Sequence, residues 1–348
     1  MERTDRIGRQ IALVGVAFVA TLLLLGGAYA ILSARGDEPR ATGAPSSVSA
    51  APPPTQSPAT GSPGSGSAGP IPSASGDAGS APPDVTLTGA GDIASCGLRG
   101  DSATSDLLVG QPGTIFTAGD NAYEDGSPAN FESCYAPTWG RVLDRTTLPA
   151  PGNHDWNTAG AAGYLAYFGS AAAPNGTTWY SKDLGAWHVI VLDSDCAKVD
   201  GCDAGSPQGR WLKADLAAHA STRCTLAIWH HPRFSSGEHG NDPVVGPFWE
   251  QLVAAHADLV INGHDHDYER FAPQNAAGQE DRVTGLRQFV VGTGGAVLRG
   301  FTKVAANSEL RVGGEWGVIR LTLHVANYDW EFLPVTGKVT DSGSALCH

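Results

Sequence analysis

Basic side chains are scarce in this 348-residue chain: 22 Lys and Arg stand against 35 Asp and Glu, a formal net charge of −13. Residues 1–83 hold 5 basic and 5 acidic side chains, so the whole acidic excess sits in 84–348. Such a body has no counter-charge for a phosphate backbone, which argues against nucleic acid as a partner. Charged residues make up only 16%, low for a soluble protein. Between Ser33 and Pro83 there is no Phe, Trp, Tyr, Leu or Met, yet 11 of the 23 prolines fall there. Residues 33–83 lack the apolar surface needed to offset the entropy of ordering them. They read as a disordered Pro/Ser/Gly/Ala linker, a coil spanning about 40 Å. No histidine precedes residue 84, so imidazole chemistry belongs to residues 84–348. No Cys-x-x-Cys occurs, which leaves no thiolate zinc site of ordinary spacing. No internal repeat is present.

What the N-terminus does have is a membrane signal. Arg3, Arg6 and Arg9 precede an uncharged apolar stretch from Ile11 to Leu32. Its length suffices for a helix that spans a bilayer core, with the arginines on the cytoplasmic side. Residues 1–32 are therefore expected to be a cytoplasmic tail and anchor, or a signal peptide cleaved near Ala30 at Ala28-Tyr29-Ala30. Both readings export the rest, membrane-anchored in one and secreted in the other.

Residues 84–348 have the length of one domain. Apolar runs recur at Val85–Thr88, Thr114–Ala118, Trp187–Leu192, Leu226–Trp229, Leu259–Asn262, Gln288–Val291 and Gly317–Leu323. They are expected as buried strands. Ser206-Pro207 marks a helix start before Trp211, Leu212 and Leu216, and Pro243 opens another helix with Val244, Phe248, Leu252 and Val253. Strands alternate with helices early and follow one another late, as in a mixed sheet core with helices outside. All 6 cysteines lie in this part, as expected for three disulfides in an oxidising compartment. Sequence does not choose among the 15 pairings. Cys196–Cys202 closes a short polar loop and is the favoured pair, accompanied by Cys96–Cys134 and Cys224–Cys347.

Five apolar segments end in Gly, Asp, Asn or His: Gly91-Asp92, Gly119-Asp120-Asn121-Ala122-Tyr123, Pro151-Gly152-Asn153-His154-Asp155, His230-His231-Pro232 and Gly263-His264-Asp265-His266. Strand ends are where residues from distant segments converge. Carboxylate, amide and imidazole donors suit divalent and trivalent first-row metals. His264 and His266, two apart, would point the same way if extended. A shared Asp can bridge two metals, as two-metal phosphoryl-transfer sites require. Each motif alone is commonplace, since Gly-Asp at a strand end is usually a turn. All five in this order are hard to obtain by chance.

On these motifs the sequence resembles the calcineurin-like metallophosphoesterase superfamily, and within it the small, single-domain purple acid phosphatases. The motifs run GD, GDxxY, GNH(D/E), HxP and GHxH, the last continuing as Asp267-Tyr268-Glu269-Arg270. Most of the superfamily has DxH at the first motif. Here Ala94 replaces that His and Tyr123 is gained, a paired change that resembles the purple acid phosphatases. The implied fold is α/β (α+β), with two mixed β-sheets packed as a central sandwich flanked by α-helices.

The resemblance also implies ligands. A first metal, Fe(III), would be held by Asp92, Asp120, Tyr123 and His266. A second, Fe, Zn or Mn, would be held by Asp120, Asn153, His230 and His264, with Asp120 bridging. His154 and His239 are the alternative proton donors, with Asp155 orienting His154. The implied reaction is hydrolysis of a phosphomonoester by attack of a metal-activated hydroxide. A phosphodiesterase or nucleotidase with the same centre is the alternative, because Trp156, Tyr164, Phe234 and His239 are expected at an aromatic rim that could stack a base. The remaining rival is a membrane-tethered binding module without turnover. His231 is expected to be structural or at the rim. His188, His219, His256, His324 and His348 are expected in packing or at the surface, with Arg270 supporting the metal loop.

Overall fold

The computed structural model describes residues 82–338 and 341–348. The expected anchor or signal at 1–32, and nearly all of the linker, lie outside the described residues. Among the described residues no helix is long and apolar enough to cross a membrane.

In chain order the regular elements are β1 (Val85–Ala90), α1 (Gly100–Val109), β2 (Thr114–Ala118), β3 (Thr146–Ala150), α2 (Ala162–Phe168), β4 (Tyr180–Leu184) and β5 (Trp187–Val191). Next come α3 (Pro207–Ala218), β6 (Cys224–Ile228), α4 (Gly246–Ala254), β7 (Leu259–Asn262), β8 (Tyr268–Phe271), β9 (Arg287–Val291), β10 (Ser308–Val312), β11 (Gly317–Leu323), β12 (Asn327–Pro334) and β13 (Ser342–Leu346). Two mixed sheets form, ordered β13-β12-β11-β1-β2-β3 and β10-β8-β9-β7-β6-β5-β4. Strands β1, β2 and β3 are mutually parallel, as are β5, β6, β7 and β9.

The period-2 alternation of strand side chains makes the layers. Val189 and Val191 of β5 join Leu87, Phe116 and Ile319 of the first sheet in one core between the sheets. Ile190 and Leu192 point the other way, into a second core with Leu212 of α3 and Phe248, Trp249 and Leu252 of α4. A parallel strand covered on both faces reads as a continuous apolar run. For that reason β5, β6, β7 and β9 stand out in sequence, and all seven expected strands are present, with ends shifted by at most two residues.

Strands β3, β4, β8, β10, β12 and β13 were not legible as apolar runs. In β12, buried Tyr328, Trp330 and Phe332 alternate with more exposed residues. In β3, Pro149 interrupts the pattern and is accommodated because β3 is an edge strand. The helix starts have chemical causes. The Ser206 side chain accepts the Gly209 N–H at 3.0 Å, with Pro207 at the first helical position, a cap of about 1 kcal/mol. Pro243 opens a single tight turn at Pro243–Val245, capped by Asp242, and the α-helix proper begins at Gly246. Val244, expected on the buried face, is 56% exposed. The favoured pair Cys196–Cys202 is present, and Cys96–Cys134 and Cys224–Cys347 accompany it.

Candidate metal centre

The loops leaving β1, β2, β3, β6 and β7 meet at one end of the sandwich. Asp92, Asp120 and His264, each following a glycine, have φ of 58°, 49° and 73°. Such values are uncommon for residues with a side chain and cluster at functional sites. The glycines are needed for close approach. A Cβ at Gly119, whose φ is +85°, would lie 2.5 Å from the His230 ring, and one at Gly263 would lie 2.6 Å from Asp92 Oδ2. His264 is therefore not extended, as the two-residue spacing to His266 suggested. The two rings nevertheless face the same site from either side.

Each buried carboxylate is anchored by one oxygen and presents the other. Asp92 Oδ2 accepts the His264 N–H at 2.7 Å, and Asp120 Oδ1 accepts the His154 N–H at 2.8 Å. The Tyr123 hydroxyl lies 2.9 Å from Asp92 Oδ1, 3.0 Å from Asp120 Oδ2 and 3.2 Å from His266 Nε2. On the other side, His230 Nε2 lies 3.3 Å from Asp120 Oδ2, 3.2 Å from Asn153 Oδ1 and 3.2 Å from His264 Nδ1. Asp120 Oδ2 is thus common to two donor groups, one oxygen-rich and one mixed. The Tyr123 N–H is held by the Ala94 carbonyl at 2.8 Å, so the residue that lacks the superfamily imidazole carries the tyrosine that replaces it.

Two imidazoles are oriented from behind. His230 Nδ1 sits 2.8 Å from the Ala118 carbonyl and His266 Nδ1 2.6 Å from the Val297 carbonyl. The Nδ1–H donates there, which turns Nε2 to the site, as in metal-binding histidines. Among the described residues, Asp92 and Asp120 form ion pairs only with imidazoles, never with Lys or Arg. Burial disfavours the charged His230 imidazole, but Asp120 and Asp92 beside it hold its pKa at about 10. Burial opposes ionisation of Asp120 too, and the His230 and His154 rings bring it below the usual carboxylate range. Burial, Asp120 and Asp92 push the Tyr123 phenol well above its ordinary value. A tyrosinate there needs a cation of high charge beside it. The donor set fits such a cation: three oxygens and one nitrogen on the first side, two oxygens and two nitrogens on the second.

The other expected site residues divide. The His154 ring packs on Tyr123 at 4.3 Å, its Nε2 is 3.9 Å from Asp120 Oδ2 and its Nδ1 meets the Glu124 carbonyl at 2.5 Å. Asp155 does not orient that ring. Its carboxylate is buried and accepts the Gly152 N–H at 2.9 Å and the Asn121 side-chain N–H at 2.9 Å. It ties the second and third motif loops together, and burial plus the Asp120 charge raises its pKa to about 7. His239 stacks on His264 at 4.1 Å. The expected aromatic rim is largely absent. Tyr164 is fully buried, with its hydroxyl on the Pro149 carbonyl. Phe234 packs edge-on against Trp249 in the second core, and the Trp156 indole N–H donates to Asp193. His231 is held by Ser194 at 2.8 Å beside His264. Arg270 is bonded to Asp341 and Glu309, away from the centre.

Two contributors escaped the sequence reading. Asp265, the variable position of GHxH, accepts the His239 N–H at 2.9 Å and the Ser235 hydroxyl, and so folds that loop over the site. Arg299 brings a guanidinium nitrogen to 2.5 Å from His239 Nε2. Its signal was present: strand β9 runs into Gly292-Thr293-Gly294-Gly295, the same strand-then-glycine pattern as the other motifs.

The Calcineurin-like phosphoesterase family model matches residues 91–268, just over half of the chain and all five ligand-bearing loops. The chain belongs to this family. It is 28% identical to Purple acid phosphatase 15 of Arabidopsis thaliana over 201 residues, 48% of this chain and 37% of that protein. It is 26% identical to a purple acid phosphatase of Glycine max over 212 residues, 54% of this chain and 44% of that one. The chain thus spans less than half the length of these curated relatives. Among solved structures, purple acid phosphatase PPD1 from yellow lupin seeds superposes with a TM-score of 0.62 at 18% identity, covering 76% of this chain and 54% of that one. That likeness establishes the metallophosphoesterase fold.

Proposed function

We propose that the protein is an exported dinuclear-metal phosphatase that hydrolyses phosphomonoesters. The observation that carries this reading is Asp120 Oδ2, shared between Tyr123 at 3.0 Å and His230 at 3.3 Å, with four more donor residues around it. Asp92, Asp120, Tyr123 and His266 would hold Fe(III), and Asp120, Asn153, His230 and His264 would hold Fe, Zn or Mn. When bound, the two cations supply Lewis acidity toward phosphoryl oxygens and a water acidic enough to serve as nucleophile.

The chain's own groups supply the rest. His154 keeps Nε2 on the site side while the Glu124 carbonyl holds Nδ1, so it can protonate the departing oxygen. His239 Nε2 faces a guanidinium, which only donates, so that nitrogen accepts and is not the proton source in this arrangement. Tyr164 is buried and Phe234 is half-buried against Trp249, which leaves little aromatic surface to stack a base and favours a monoesterase over a nucleotidase. The three disulfides suit an oxidising compartment. Residues 1–32 would anchor the protein to the membrane, or release it if cleaved near Ala30.

The test is phosphate release by purified protein from an aryl monoester and from a bis-aryl diester, with metal analysis and a visible spectrum. We expect two metals per chain, a tyrosinate–iron charge-transfer band and preference for the monoester. A protein that binds two metals but hydrolyses neither ester would be a binding module. A colourless active protein would remove iron from the first site.

A further inference from the structure

We infer that Arg299 is a substrate-binding residue that grips the phosphoryl group and selects dianionic monoesters over diesters. This rests on the phosphatase reading of the metal centre. The segment after β9 is fastened to three ligand loops. Gly294 N–H donates to the Gly91 carbonyl at 2.9 Å, Ala296 N–H to the Asp92 carbonyl at 2.9 Å, and Arg299 N–H to the His266 carbonyl at 3.0 Å. The Val297 carbonyl, two residues before Arg299, is the one that orients His266. On the far side, Thr302 donates its N–H to the Ser236 carbonyl and its hydroxyl to the Gly237 carbonyl, both at 2.9 Å. The arginine is therefore mounted on an arm whose backbone position is set by the metal-site loops themselves.

Its side chain is placed for a ligand more than for an internal ion pair. The guanidinium meets the ring of His239, which stacks on His264. The nearest carboxylate is Glu238, 3.7 Å away and itself half exposed, a pairing of little strength. The side chain keeps 31% of its surface open. A guanidinium presents several donors in a planar fork, matched to the oxygens of a phosphate. A monoester dianion has three non-bridging oxygens and a diester has two. After two cations have each taken an oxygen, only the monoester retains one for a protein cation.

The test compares the metal-loaded wild-type chain, Arg299→Ala, Arg299→Lys and Arg320→Ala, the last removing a charge on β11 that pairs with Glu331. Inorganic phosphate binding is read by calorimetry, and kcat/KM by hydrolysis of the aryl monoester and bis-aryl diester. For Arg299→Ala we expect phosphate binding weakened about 30-fold and monoester kcat/KM lowered about 100-fold. The diester should change by less than about 3-fold, with metal content unchanged. Arg299→Lys should recover part of the phosphate affinity and Arg320→Ala should match wild type. An equal loss for both esters, or unchanged phosphate affinity in an active protein, overturns the assignment. If wild type hydrolyses neither ester yet binds phosphate through Arg299, the phosphatase reading falls and the arginine site stands. If it neither hydrolyses nor binds phosphate, both fall.

Discussion

Two of the histidine–aspartate clusters among the described residues are built in opposite ways. At the candidate centre, His230 and His266 each spend Nδ1 on a backbone carbonyl and keep Nε2 for a shared point. Near the second sheet's far edge, His188 is also buried, but Asp183 on β4 takes its Nδ1 and Asp215 on α3 takes its Nε2, both at 2.8 Å. His219 stacks on it at 3.7 Å. Both nitrogens of His188 are taken up by carboxylates, so neither is left for a metal. Residue types alone would make either cluster a metal site. What separates them is where the second ring nitrogen goes, a backbone carbonyl being neutral and a carboxylate stabilising the proton.

The sharpest way to break this comparison is Asp120→Asn, which removes the shared anionic oxygen. Activity should fall by at least about 10³-fold with loss of both metals, measured by hydrolysis and metal analysis. Retention of both metals would show that Asp120 does not bridge. His154→Gln should lower kcat by about 10²-fold with metal content and visible spectrum intact. A shifted spectrum would mean that His154 acts by supporting Tyr123 instead. Tyr123→Phe should abolish the visible band and weaken the first metal by about 10- to 100-fold.

The His188 cluster should respond in stability instead. Burial pulls the His188 pKa down, but the bonds to Asp215 and Asp183 prevail and hold it above 6.5 in the folded protein. A raised folded pKa stabilises the protein fully below the unfolded value and loses that contribution as pH rises through the folded one. The thermal stability of wild type should therefore fall as pH rises above about 6.5 in a way that His188→Gln does not share. The variant should cost roughly 2 kcal/mol at pH 6 and leave metal content and hydrolysis unchanged. The smallest change is expected for Asp155→Asn, whose amide oxygen still accepts from Gly152. About 1 kcal/mol of stability should go, without the altered pH–rate profile that a partner of His154 would produce.

Legibility followed burial and locality. Strands β5, β6, β7 and β9 are parallel and covered on both faces, so their apolar runs stand out. Strands β10 and β12 lie in antiparallel pairs with mixed burial and carry their signal only as alternation, and β8, Tyr268-Glu269-Arg270-Phe271, is too short and polar to show one. The ligand motifs were readable because each is local, a glycine and a donor at a strand end. Asp155 was misread for the same reason. Adjacency to His154 suggested a partner, but a tight turn sent its carboxylate back to Gly152 and across to Asn121. Tyr164 and Phe234 were placed at a rim by their chemistry, although apolar packing draws such rings inward.

Residue types at short spacing were enough for the mixed-sheet class with helices outside, the candidate donors and the excess of acid they help create; the two-sheet arrangement came with the family resemblance. The disulfide pairing, the common oxygen of Asp120, the direction of each imidazole and the arrival of Arg299 beside His239 were decided by the tertiary structure. Cys196–Cys202 apart, whose sequence separation is 6, each of these depends on segments tens to hundreds of residues apart being brought within about 3 Å, the range in which hydrogen bonds and metal donors act. Local spacing carries no information about which nitrogen or oxygen such an encounter will use.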